Sequence, residues 1–165
     1  MRVIAGEARG RKLLPVPGGG TRPITDRAKE ALFSILSPRM YGSLFLDLFA
    51  GTGGVGIEAL SRGADWCDFV DMEQRAVSTI HSNLDRTGFA DRARVVRRDV
   101  FSFLSGTPEE PYDVICVAPP QYKGLWSRTL SALDTGGDWW HQDGVVIAQI
   151  HPREYEDLEL SRLEE

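Results

Sequence analysis

A chain of 165 residues is ample for one domain with a real core and short for two, and its 42% hydrophobic and 26% charged content is that of ordinary globular material. No apolar run is long enough to span a bilayer, and the N-terminus MRVIAGEARGRK lacks the apolar stretch of a secretory leader, so a cytoplasmic address is expected. The net charge of −5 speaks against nucleic acid only superficially: residues 1–39 carry a net +5, the remainder −10, and a basic arm on an acidic body suggests a local phosphate-binding face.

In chain order, the alternating MRVIAG segment predicts a short hairpin or strand pair, followed by a glycine-rich linker at Pro17–Gly20. Thr25-Asp26 offers a helix start, with Ala28, Ala31, Leu32 and Ile35 expected on one apolar face and Pro38 as the stop. Strands are then expected at Leu44–Leu48, Cys67–Val70, Arg94–Arg97, Tyr112–Val117 and Val145–Ile150. Helices are expected at Gly54–Ser61, at Arg75–Thr87 closed by Gly88, at Val100–Leu104 and around Trp126–Leu133. This alternation predicts an α/β fold, a mostly parallel sheet with helices on both faces, carrying a small basic N-terminal extension. The extension is taken as residues 1–40 and the core as 41–165. Cys67 and Cys116 lie in apolar segments and read as buried reduced thiols. His81, His141 and His151 lie far apart without acids at ligand spacing, so no metal is expected.

Residues 44–65, LFLDLFAGTGGVGIEALSRGAD, read as a strand, a glycine loop and a helix start. Such an arrangement turns backbone N–H groups toward a nucleotide-like ligand. GTGGVG also satisfies the dinucleotide pattern, with Asp71 near the distance of a ribose acid. Asp47 argues for a different ligand: its carboxylate repels a pyrophosphate and attracts an ammonium. S-adenosylmethionine carries that ammonium and no phosphate, and is the expected cofactor. Gly51, Thr52 and Gly53 of the loop would face it. Asp71 is placed to accept from ribose hydroxyls and Asp99 from the adenine amine, with Val100 offering a backbone N–H; both acids could instead cap helices.

The second motif is Ala118-Pro119-Pro120-Gln121-Tyr122, directly after a buried strand. Two prolines fix φ and remove two donors, leaving carbonyls that can only accept, as suits an amino group held by its N–H bonds.

With both motifs in place, the chain resembles the RsmD family of 16S ribosomal RNA guanine-N2 methyltransferases over Met1 to about His151. The resemblance is carried by MRVIAGEARGRKL, TRPITDRAKEALFSIL and DLFAGTG. It implies a Rossmann-like class I S-adenosylmethionine-dependent fold and methylation of a guanine exocyclic N2. The implied partner is 16S RNA within an assembling or assembled small subunit, and the protein is expected to be a monomer that keeps clear of membranes. Two departures stand out. The family's tetrad begins with Asp or Asn and ends with Phe or Tyr, whereas here Ala118 and Gln121 hold those places and the aromatic moves to Tyr122. The family also continues into a final strand, whereas Leu158–Glu165 is polar, so the core reads as truncated at its last strand. On these grounds Pro119 and Gln121 are expected to supply acceptors for the guanine amine, Tyr122 the stacking surface, and Arg11, Lys12, Arg22, Arg27 and Lys29 the phosphate contacts. Two alternatives stay open: an RNA- or ribosome-binding module that keeps the cofactor pocket without the chemistry, and an amine methyltransferase acting on DNA or protein.

Overall fold

The computed structural model describes residues 1–18 and 23–165. Five strands, β1 (Leu44–Leu48), β2 (Trp66–Asp71), β3 (Ala93–Arg97), β4 (Tyr112–Val117) and β5 (Trp140–Ala148), form one sheet in the order β3-β2-β1-β4-β5. Every neighbouring pair is parallel. The helices are α1 (Asp26–Leu36), α2 (Gly54–Ser61), α3 (Gln74–Thr87), α4 (Val100–Leu104) and α5 (Leu125–Thr135). Because successive side chains of a strand face opposite sides, β1 feeds two cores. Phe45 joins Phe33, Leu36, Ile57, Leu60, Phe69 and Ile80 beneath α1, α2 and α3. Leu46 and Leu48 join Val70, Val100, Leu133 and Trp139 beneath α4 and α5. This is the doubly wound, Rossmann-like architecture that the alternation predicts. Strand order reverses between β1 and β4, and in such sheets the ligand crevice lies at that switch point, outside the carboxyl ends of the strands.

The N-terminal segment is a hairpin fastened to the core. Val3 donates to the Arg11 carbonyl and Leu13 to the Met1 carbonyl, both at 2.9 Å, with Arg2 opposite Lys12. Its outer amides are satisfied by α2. Glu58 accepts from the N–H groups of Ile4 and Ala5, and Ser61 Oγ from that of Ala8. Val3, Ala8 and Leu13 are buried in the same core as α1–α3.

Three expectations need correction. The buried face of α1 is Lys29, Leu32, Phe33 and Leu36, while Ile35 is 68% exposed. Hydrophobicity alone excluded Lys29 from a core face, yet its ammonium is neutralised there by Glu58 at 3.2 Å. Pro38 sits inside a 3₁₀ turn, Ser37–Arg39, that continues from α1; at the start of a helical turn a proline forfeits no needed donor. Finally, β5 starts at Trp140 rather than Val145. Tyr112 pairs with Trp140, and the register then shifts before Val114 meets Val145, so Asp143-Gly144 is an irregularity within a strand and not a boundary. Past β5 the chain forms a 3₁₀ turn, Pro152–Glu154, then irregular backbone, and among the described residues β5 is the outer strand on its side. The linker residues Gly19 and Gly20 lie outside the described residues.

Candidate active site

Parallel pairing brings the two sequence motifs to one place. Leu48 and Val117 are register partners at the ends of β1 and β4, and the Ala118 N–H points to the Leu48 carbonyl at 3.5 Å. The glycine loop leaves β1 through Phe49 (φ 60°), Gly51 (φ 58°) and Gly53 (φ 80°), all left-handed, and enters α2. Gly56 lets α2 lie directly on β2: a Cβ there would fall 2.3 Å from the Phe69 ring and 2.6 Å from Cys67 Sγ.

Three N–H groups of this loop and of the helix it opens are taken by side chains, whereas the loop amides were expected to face a ligand. Gly51 donates to Asp71 Oδ2 at 2.9 Å, Gly56 to Asp47 Oδ2 at 3.0 Å and Gly54 to Thr52 Oγ1 at 3.1 Å. Two of the three acceptors are carboxylates. A pyrophosphate would find these N–H groups taken and the Asp71 carboxylate behind them, whereas a cation would find that negative charge without losing a hydrogen bond. The donor set therefore fits a cationic, phosphate-free ligand and does not fit a dinucleotide.

Asp47 is only 1% exposed, so it braces the loop from below instead of standing in the crevice. Burial pushes its carboxyl up to about 8; the Gly56 N–H opposes the rise and the charge of Asp71 adds to it. Asp71, half-buried, accepts from Gly51 through one oxygen and from Glu73 N–H through the other. A carboxylate has about four lone-pair positions, so both oxygens can still accept. Asp99 is exposed and caps α4, with Oδ2 accepting from Ser102 N–H at 3.0 Å. The Val100 side chain is buried in the core. Thr52 is 5% exposed, and its carbonyl accepts from Asn83 Nδ2 at 2.9 Å.

On the other side of the crevice, Ala118 and Pro119 are half-buried, while Pro120, Gln121 and Tyr122 are exposed. Tyr122 has φ 62°, and its N–H donates to Glu154 Oε1 at 2.6 Å. Nothing in the local sequence pointed to Glu154, which lies 32 residues further on.

The basic residues divide. Arg11 and Lys12 are exposed on the hairpin and Arg27 on α1. Lys29 is 0% exposed, donates to the Arg2 carbonyl at 2.7 Å and pairs with Glu58, so it cannot touch a phosphate. Burial would lift the Glu58 carboxyl, but the Ile4 N–H, Arg62 and Lys29 together hold it below its ordinary value. Arg22 lies outside the described residues. Sequence reading missed Arg86, which meets the hairpin: Arg11 donates to the Arg86 carbonyl and Arg86 to the Lys12 carbonyl, each at 3.3 Å. A hollow of about 460 Å³ that includes Arg39, Asp113 and His141 opens at the amino ends of β1 and β4, away from all of these groups.

A model of the family described as Conserved hypothetical protein 95, that of the RsmD methyltransferases, matches residues 1–164. The chain belongs to the RsmD family. The family member YlbH of Bacillus subtilis is 40% identical over 172 residues, covering 99% of this chain and 92% of its own. Ribosomal RNA small subunit methyltransferase D of Escherichia coli is 41% identical over 150 residues, covering 89% of this chain and 72% of its own. Among solved structures, yhhF from Escherichia coli superposes with a TM-score of 0.80 at 38% identity, over 94% of this chain and 84% of that one. The RsmD fold and the two-motif crevice thus coincide in this chain. No helix among its described residues is long and apolar enough to cross a membrane.

Proposed function

We propose that this RsmD-family chain transfers a methyl group from S-adenosylmethionine to the exocyclic N2 of a guanine in small-subunit ribosomal RNA. The observation that carries the proposal is the carboxylate-braced glycine loop at the end of β1, set beside the Pro-Pro loop at the end of β4. The first suits a cationic donor and the second an amine acceptor. When bound, S-adenosylmethionine supplies a methyl group on a sulfonium. The backbone of Gly51–Gly53 would pack against its methionine end, Asp71 would accept from its ribose hydroxyls, and Asp99 and the Val100 N–H would meet the adenine. Asp47 would act from beneath the loop, accepting from Gly56 N–H and ionising as the cation binds.

Guanine N2 is a poor nucleophile because its lone pair is delocalised into the ring. The Pro119 carbonyl accepts one of its N–H bonds and the exposed Gln121 amide oxygen the other, which localises the lone pair and stabilises the positive charge that grows on nitrogen. Neither acceptor is basic, so the proton leaves to water after transfer. Tyr122 stacks on the splayed base, offsetting part of the lost stacking in the RNA. Arg11, Lys12, Arg27 and Arg22 contact phosphates and set the register of the RNA.

The test is transfer of labelled methyl to unmodified small subunits, followed by nucleoside mapping. Label on guanine N2 supports the proposal. Cofactor binding without transfer would favour the binding-module alternative, for which Ala118, lacking a side-chain acceptor, is the supporting observation. Label on DNA or protein in competition would redirect the substrate assignment.

A further inference from the structure

The loop after β4 ends on a strained residue held in place by a distant segment. Tyr122 occupies the left-handed region, which a bulky side chain seldom enters, and it is 62% exposed, so burial of its ring does not keep it there. Strain of this kind persists where the surroundings over-determine the conformation. A distant carboxylate holds the amide of this turn residue. Glu154 Oε1 accepts from Tyr122 N–H at 2.6 Å, and Oε2 accepts from His151 N–H at 3.3 Å. His151 in turn caps the Pro152–Glu154 turn, its Nδ1 accepting from Arg153 N–H at 3.1 Å. Its ring lies 5.4 Å from that of Tyr122 at an interplanar angle of 43°. This clasp is anchored to the sheet: it follows β5 directly, where Ala148 pairs with Val117 and Gln149 N–H donates to the Val117 carbonyl at 2.8 Å.

We infer that Glu154 and His151 are positioning residues that preset Tyr122 for the target base. The inference rests on the proposal that Tyr122 stacks on that base. Glu154 fixes the backbone of Tyr122, and His151 engages its ring. An exposed ring on a free loop would have to be ordered as the base arrives; a ring already ordered spares that entropy. The chain thereby supplies from beyond β5 a support for an aromatic displaced by one position from the family pattern.

Two readouts test this separately. Hydrogen exchange at the Tyr122 amide reports the clasp without substrate. Protection is expected in the wild type and in Glu154→Gln, whose amide oxygen still accepts, and exchange about tenfold or more faster in Glu154→Ala. Equal exchange in all three overturns the inference. Methyl transfer to unmodified small subunits reports the consequence. Glu154→Ala is expected to lower kcat about 10- to 100-fold, as for loss of a hydrogen bond to a charged group, with an unchanged calorimetric Kd for S-adenosylmethionine, which also certifies the fold. Glu154→Gln should recover to within several-fold, and His151→Ala should fall between them. Wild-type kcat in Glu154→Ala, or a loss that Gln does not recover, overturns the inference. Full turnover in Tyr122→Ala would instead sink the stacking role itself, and the inference with it.

Discussion

Asp47 places an acid where its charge is expensive, and Asp47→Asn measures how expensive. The folded carboxyl is raised from its ordinary 3.8 to about 8, chiefly by burial. At pH 7 the unfolded chain therefore carries an ionised Asp47, while the folded one must take up a proton, at a cost of about 4 kcal/mol. Between about pH 4 and 8 the folded state binds more protons at this site than the unfolded state, so its contribution to stability falls as pH rises, by about 1.4 kcal/mol per pH unit. Asparagine removes that slope. Its oxygen can still accept from Gly56 N–H, but its new N–H₂ has no evident acceptor, an offset of about 1–3 kcal/mol. The variant should be less stable than the wild type near pH 4 and more stable by about 2–4 kcal/mol at pH 8. Urea unfolding followed by circular dichroism at both pH values measures this, and titrating groups not coupled to Asp47 cancel in the difference between the two proteins. A difference that is the same at pH 4 and pH 8 would refute the assignment of a protonated, buried Asp47.

The same group predicts how the proposed cofactor binds. A cation at the loop favours the ionised form of Asp47, so affinity for S-adenosylmethionine should rise from pH 6 to pH 8 with release of a proton, and calorimetry in buffers of different ionisation enthalpy should find neither effect in Asp47→Asn. Lys29→Ala leaves Glu58 buried with one fewer partner and should cost about 3–5 kcal/mol in urea unfolding; the depressed Glu58 carboxyl makes this stabilisation fade as pH falls through its folded value. Gly6→Ala should lower stability by at least ~2 kcal/mol, because φ is 86° and the new Cβ would lie 1.9 Å from the Ser61 carbonyl oxygen; an unchanged thermal midpoint would show that the hairpin is not seated on α2. Replacing Arg11, Lys12 and Arg27 together by Gln should flatten the salt dependence of RNA binding by about two to three in log–log slope, read by filter binding from 50 to 200 mM salt. A slope equal to that of the wild type would remove this face from the interface.

The limits of sequence reading fall between local and distant partners. The strand, glycine loop and helix of residues 44–65 were legible because hydrophobic period, left-handed glycines and helix start are neighbours in the chain. Asp71 and Asp99 were legible as acids at strand ends for the same reason. Local pattern could not tell what Asp47 and the loop amides bind, since two side-chain oxygens from β1 and β2 reach the loop only once the sheet is formed. Nor could it tell that Lys29 is core, because its neutralising partner sits on another helix, or that Tyr122 is held by Glu154 across 32 residues. The sequence by itself determined the doubly wound order of elements, the two motifs and the family. Only the tertiary structure decided which charges face solvent and which are consumed in holding the fold. A charge's role depends on its burial and its partner, and both are properties of the packed chain.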